Sequence, residues 1–391
     1  MEMECRNRRS AKMTETAVIV GRGGSTHKAV RGHGFEGQNP YLPLMKESLI
    51  LPALVTFGIA VALTASAQAE PPAVVGGRAP LFEVVEQARS LEPLQTLIVA
   101  RNGAVLVEEG FRGNSVDAPT NIKSASKSLV SALVGIAIDK GVLEGTDQKI
   151  APLLRDKLPE DPDPRIEEIT IGNLLSMQAG LVPTSGGNYG RWVASADWVR
   201  AALAQPFADD PGEGMLYSTG STHLLSAILT RESGKSTLEL ARDWLEPLDG
   251  FEIADWERGP QGVYLGGNQM AMSPKSLLAF GELYRNGGKA GGDQIVSPGW
   301  IEASWAPRAK SMHSGESYGY GWFLTEMGGH EVAYAWGHGG QMLYIVPSLS
   351  LTVVMTSAEG QPSARSGYRE DLAELMQATI AALDDDADSR I

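Results

Sequence analysis

The segment KSASKSLVSALVGIAIDKG, residues 123–141, sets Lys127 three residues after Ser124 at the mouth of a strongly apolar run. On a helix that spacing puts amine and hydroxyl on one face. Two roles fit. Ser124 is a capping residue with Lys127 extending outward to solvent, or the pair is a nucleophile with its base. A lysine in a first helical turn faces the positive end of the helix dipole, which disfavours its charged form. Burial works in the same direction. A neutral amine can accept the serine proton, and the helix N-terminus aims backbone N–H groups at an oxyanion formed beside Ser124. S-x-x-K alone is weak evidence, since Ser25-Thr26-His27-Lys28 matches it too.

Two further places could complete such a site. In PGEGMLYSTGSTHLLSAIL, Tyr217 precedes Ser218-Thr219-Gly220 on a loop entering a clear helix. A tyrosine beside a lysine can pass a proton between serine and leaving group, although a core tyrosine also fits. In WGHGGQMLYIVP, His338-Gly339-Gly340 opens an expected strand, and consecutive glycines in a strand mark a close approach to the backbone. A substrate on that edge could accept a hydrogen bond from the Gln341 N–H; a turn with a satisfied histidine is the alternative. Gly315-Glu316-Ser317-Tyr318-Gly319 has the G-x-S-x-G form, with Glu331 and His338 following. That motif needs a strand before its serine and a helix after it. Here a polar loop precedes and a strand-like run follows, so Ser317 is rejected as nucleophile.

The elements that must hold these residues are legible in outline. LQTLIVARNGAVLVEEGF places two β-branched runs around Asn102-Gly103, a strong hairpin signal. Residues 124 to about 270 read mostly as helices, the first ending at Asp139-Lys140-Gly141 with a glycine C-cap. From Tyr318 four short apolar runs follow: YGYGWFL, VAYAWG, MLYIVP and LTVVMTS. A last amphipathic helix puts Tyr368, Leu372, Leu375, Met376 and Ile380 on one face. The expected class is α+β: one antiparallel sheet built from both ends of the chain and flanked by helices, with an all-helical lobe inserted. The boundaries are an α/β lobe of 70–123 with 270–391 and a helical lobe of 124–269. A small-molecule site belongs in the cleft between them.

The chain of 391 residues is 43% hydrophobic and 20% charged, with a formal net charge of −14. Such an acidic chain has no global basic surface for nucleic acid or anionic lipid. MKESLILPALVTFGIAVALTASAQAEPP, from Met45, has the charged start, apolar centre and A-x-A end of a secretory signal, cleaved near Ala69. The protein is therefore expected in the periplasm or secreted, without a stable membrane anchor. Residues 1–44 form a leader of doubtful status. Cleavage would leave 25 basic and 42 acidic residues and remove Cys5, the single cysteine. The mature chain then has no thiol nucleophile, and its histidines lack metal-ligand spacing, so no metal or cofactor is expected.

Taken in order, KSASKSLVSALVGIAIDKG, ITIGNLLSMQAGL, YSTGSTHLLSAIL, GGNQMAMSPKSLLAFGELYRNGG, YGYGWF and WGHGGQ make residues 95–385 resemble the serine hydrolases related to class C β-lactamases and penicillin-binding proteins. The branch most resembled contains 6-aminohexanoate-dimer hydrolases and esterases. The resemblance implies the β-lactamase/transpeptidase-like fold, Ser124 as the acylated nucleophile, Lys127 as its activator and Tyr217 as the general acid/base tyrosine of Y-x-N. It places His338-Gly339-Gly340 at the K-T-G position, with the Ser124 and Gln341 amides as oxyanion hole. Tyr189, Thr219, Asn268, Gly339 and Gly340 are then candidates to line the substrate pocket. Two departures stand out: Thr219 replaces the asparagine of Y-x-N, and His338 the lysine of K-T-G. A mostly neutral histidine holds a carboxylate poorly. The expected substrate is thus a small ester or amide without an obligatory carboxylate, and β-lactamase activity is expected to be weak. A D-Ala-D-Ala peptidase, a β-lactamase-like enzyme and a sensor acylated without turnover are the alternatives.

Overall fold

Long β-branched runs at both ends of the chain pair with each other to make the central sheet. The structure is a computed structural model, and residues 79–388 except 313, 361 and 362 are described. The leader and the expected signal lie outside the described residues. Helix α1 (Ala79–Ser90) leads into strands β1 (Leu94–Arg101) and β2 (Ala104–Gly110). Asn102 and Gly103 turn between them at φ 53° and 81°, as an Asn-Gly hairpin requires. The other six strands are β3 (Ala309–Lys310), β4 (Ser317–Tyr318), β5 (Phe323–Met327), β6 (His330–Gly337), β7 (Gln341–Val346) and β8 (Leu351–Ser357). The sheet is antiparallel throughout, in the order β2-β1-β8-β7-β6-β5-β4-β3. The run YGYGWFL is not one strand: Gly319 to Trp322 turn between β4 and β5, closed by Gly319 N–H donating to Trp322 O at 2.9 Å. Ser317 lies in β4, a strand with no helix after it, and its neighbour Glu316 is paired with Arg369.

Every residue of β7 and β8 is buried, because helices cover both faces of the sheet. On one face Leu97, Val99, Tyr334, Tyr344 and Met355 pack with α1 and with the C-terminal helix, Tyr368–Asp388. On the other, Ile98, Ala335, Leu343 and Val354 join one continuous core with the helices of the middle of the chain. Helix α2 (Ser126–Asp139) runs through that core, buried from Ser126 to Ala137. Two of its buried serines bind the β4–β5 turn: Ser128 Oγ donates to Gly321 O at 2.6 Å and Ser131 Oγ to Tyr320 O at 2.7 Å. Helix α3 (Thr219–Ser233) packs beside it and ends at Gly234 in the left-handed conformation. A small sheet joins Thr120–Asn121, Met270–Met272 and Asp255–Trp256. It crosses the expected boundary at 269/270, since Asp255–Trp256 pairs with Met270–Met272. Helix α4 (Pro274–Arg285) then returns the chain to the main sheet, and α5 (Pro298–Trp305) precedes β3. Among the described residues no helix is long and apolar enough to cross a membrane, and no cluster of metal-ligating side chains occurs.

Candidate active site

Ser124 sits in a single 3₁₀ turn, Lys123–Ala125, that feeds directly into α2. Its hydroxyl caps nothing: the N-cap residue of α2 is Ala125, with no side-chain capping bond. Lys127, in the first turn of α2, is only 2% exposed. Its Nζ lies 3.0 Å from Ser124 Oγ, 3.3 Å from Thr219 Oγ1 and 2.6 Å from Gly267 O. No carboxylate is among these partners. Burial alone lowers the amine from its ordinary 10.5 to about 7. The start of α3 at Thr219 adds a second helix N-terminus facing the amine, again against its charge.

The hydrogen-bond pattern accommodates the neutral amine. A carbonyl oxygen only accepts, so one N–H must point at Gly267 O. The second N–H can be given to Thr219 Oγ1, which also contacts Ser185 Oγ at 3.0 Å. The lone pair then remains for the Ser124 hydroxyl. Thr219, standing where an asparagine was expected, thus serves as a hydroxyl partner of the base, held by its own N–H donating to Ser185 Oγ at 2.8 Å.

The Tyr217 hydroxyl lies beside that of Ser124, and Lys127 Nζ lies 5.0 Å from the centre of its ring. Burial pushes the phenol well above its ordinary range, so it stays protonated near neutral pH. Its ring rests against the Tyr318 and Phe323 pair, both with centroids 6.1 Å away. Serine, lysine, tyrosine and threonine therefore converge from two segments separated by up to 95 residues.

Strand β5 covers β6 only from His330 to Tyr334, so residues 335–337 have an outer edge that β5 does not pair. That edge meets the nucleophile's turn. A Cβ on Gly337 would lie 2.2 Å from Ile122 O, so only glycine allows this approach. His338-Gly339-Gly340 does not open a strand but forms the loop between β6 and β7, closed by the Gly337–Gln341 pair. The space beside Gly339 and Gly340 is filled by the protein itself: Ala358 O for the first, Leu372 and Tyr368 for the second. These two glycines seat the loop on the C-terminal helix and on the segment after β8. The Gln341 side chain anchors the end of the loop. It is fully buried, its Nε2 donates to Ser357 O at 2.7 Å, and its Oε1 accepts from Ser357 N at 3.1 Å. The residue that follows the close approach is His338. Its N–H, like that of Ser124, has no acceptor among the described residues, while its ring is exposed and unpaired there.

Asn268 lies beside the Tyr189 phenol, next to the Gly267 carbonyl that holds the base, and its Oδ1 is buried with no partner among the described residues. Burial, then the negative charge of Glu257, raise the Tyr189 phenol. Tyr189 rests against Trp192 with centroids 5.9 Å apart, in a small apolar cluster with Trp198 and Leu265. Gly267, Ser185 and Gln269 are participants that sequence reasoning missed. The left-handed φ values at Gly267 (78°) and Gln269 (51°) mark a contorted loop, of which GGN was the only hint.

A family model described as Beta-lactamase matches residues 91–376, and the chain belongs to that family. The fold and the family are those of hydrolases that include 6-aminohexanoate-dimer hydrolases and penicillin-binding-protein homologues. A 6-aminohexanoate-dimer hydrolase of Paenarthrobacter ureafaciens is 24% identical over 325 residues, 76% of this chain and 81% of that protein. Among solved structures, a penicillin-binding protein homologue from Caulobacter crescentus superposes with a TM-score of 0.63 at 20% identity, covering 79% of this chain and 98% of its own. EstCE1, a hydrolase with promiscuous acyltransferase activity, gives 0.62 at 17% identity over 77% and 98%.

Proposed function

We propose that the protein is a serine hydrolase that cleaves a small ester or amide through an acyl-enzyme on Ser124. The observation that carries this reading is the 3.0 Å contact between Ser124 Oγ and an amine held near pKa 7 with no carboxylate to recharge it. Lys127 takes the hydroxyl proton as Ser124 Oγ bonds to the substrate carbonyl carbon. The oxyanion is received by the Ser124 N–H, and the second donor is assigned to a backbone N–H of the β6–β7 loop, at His338 or Gln341. Tyr217, kept protonated, hands its proton to the departing oxygen or nitrogen and is reprotonated from Lys127. Water then attacks the acyl carbon, with its proton taken by the same pair. Tyr189 and Asn268 are placed to meet the leaving group from the Gly267 side. The resemblance to a 6-aminohexanoate-dimer hydrolase and to EstCE1 supports amide or ester substrates over lactams, as does the absence of a K-T-G lysine. Export through the signal ending near Ala69 belongs to the same proposal.

Turnover of p-nitrophenyl esters by the purified protein, with Ser124→Ala alongside, tests the reading. The expected outcome is catalytic release by the natural chain, none by the variant, and nearly the same melting temperature for both. A single stoichiometric burst would favour the acylated sensor, and activity retained in Ser124→Ala would end the proposal.

A further inference from the structure

Lys123, the residue before the proposed nucleophile, has backbone φ of +52°, a left-handed conformation that costs a side-chain-bearing residue energy. Its side chain is largely buried and spans two other segments. Nζ is 2.6 Å from Glu359 Oε2 and 3.0 Å from Gln269 Oε1. Gln269 is itself left-handed and accepts from Asn121 Nδ2 at 2.9 Å, while Asn121 Oδ1 accepts from Lys123 N at 3.0 Å. The Lys123 carbonyl in turn accepts from Ser126 Oγ at 2.7 Å.

Each end of this network lands beside a different part of the reaction centre. Gln269 is two residues from Gly267, whose carbonyl holds the Lys127 amine. Glu359 belongs to the segment after β8 against which Gly339 is packed, with a Cβ there only 3.3 Å from Glu359 Cα. Gly339 directly follows His338. One ammonium therefore ties together the turn bearing Ser124, the loop anchoring its base and the support of the β6–β7 loop. An ion pair with hydrogen-bonded neighbours and restricted solvent access holds geometry better than an exposed pair.

We propose that Lys123 is a positioning residue for acylation: through Glu359 and Gln269 it fixes Ser124 relative to Lys127 and to the oxyanion donors. This rests on the serine-hydrolase reading. Lys123 itself does not touch the reacting atoms. Its loss is therefore expected to slow the chemical step while leaving substrate affinity nearly unchanged.

The test follows phosphonylation of the full chain by a fluorophosphonate, read by intact mass. The saturating rate and the apparent affinity are measured for the natural protein, Lys123→Met, Lys123→Arg, Glu359→Gln and Ser124→Ala. Since small misplacements cost large factors in rate, Lys123→Met is expected to slow labelling about tenfold or more, with apparent affinity within about twofold. Lys123→Arg should recover most of the rate, and Glu359→Gln should fall between. A Lys123→Met rate within about twofold of the natural protein's overturns the inference and leaves the hydrolase reading intact. Should Lys123→Met fail to fold by circular dichroism, Glu359→Gln decides, its carboxylate being half-exposed; an unchanged rate there overturns the inference equally. Labelling that persists in Ser124→Ala overturns the hydrolase reading, and this inference with it.

Discussion

At the scale of single residues, the site rests on two groups that burial drives in opposite senses. The Lys127 amine is held down to about 7 and the Tyr217 phenol is pushed up. Near neutral pH the amine is therefore the available base and the phenol the available acid, an assignment that needs no third charged partner. Activity should require neutral Lys127, so kcat/KM on an activated ester is expected to fall about tenfold per pH unit below about pH 7. Stability must follow the same titration. Between about 7 and 10.5 the unfolded chain binds a proton that the folded chain does not, so stability rises with pH across that window. The slope from this group is about 1.4 kcal/mol per pH unit. Below pH 7 both states are protonated and the full penalty of burying the charge is present. Lys127→Met should accordingly be inactive but more stable than the natural protein, with the largest gain at pH 6 and a much smaller one near pH 10. Equal melting-temperature differences at the two pH values would show that the buried amine is charged throughout.

At the scale of elements, what was legible in the sequence was what local spacing carries. The three-residue separation of Ser124 and Lys127, the Asn102-Gly103 hairpin and the apolar face of the last helix each lie within a short continuous stretch, and each reads correctly from its own residues. Register between strands is different, because it is set by partners distant in sequence. His338-Gly339-Gly340 looked like the start of a strand facing substrate, whereas the loop is seated on Tyr368, Leu372 and Ala358. The glycine that meets the nucleophile's turn is Gly337, one residue earlier, at the end of the preceding strand. Gly267 was illegible for another reason: its contribution is a backbone carbonyl, which leaves no side-chain signature. The same geometry makes Gly337 a sensitive position. A methyl group there would overlap Ile122 O, so either β6 or the turn bearing Ser124 must move. Overpacking of this kind costs about 1–3 kcal/mol. Gly337→Ala is expected to lower the melting temperature and to reduce kcat about a hundredfold, because the displaced backbone carries Ser124 and the neighbouring His338 amide. A normal kcat in this variant would mean that β6 does not set the oxyanion site.

At the scale of the molecule, the expected division into a helical lobe and an α/β lobe describes the order of elements better than it describes the packing. Helix α2 has its buried residues in the same apolar core as one face of the main sheet, with Leu133 and Ile136 beside Ala335 and Leu343 in one cluster. The middle helices, with Leu224 and Ile228 of α3, close that core rather than a separate one. The small sheet pairs Asp255–Trp256, in the expected helical lobe, with Met270–Met272, in the expected α/β lobe. A segment whose apolar face is completed by another segment cannot bury it alone, so the two parts should lose structure together. The tryptophans report on both: Trp192, Trp198 and Trp256 lie in the middle of the chain, and Trp300, Trp322 and Trp336 lie with the sheet. Denaturant unfolding followed by tryptophan fluorescence and by far-ultraviolet circular dichroism is therefore expected to give coincident transitions. Leu133→Ala, which empties the shared core at α2, should shift both curves together by about 2–5 kcal/mol. Two separated transitions, with Leu133→Ala moving only one, would mean that the helices and the sheet are independent bodies and that the serine–lysine pair sits at a joint between them.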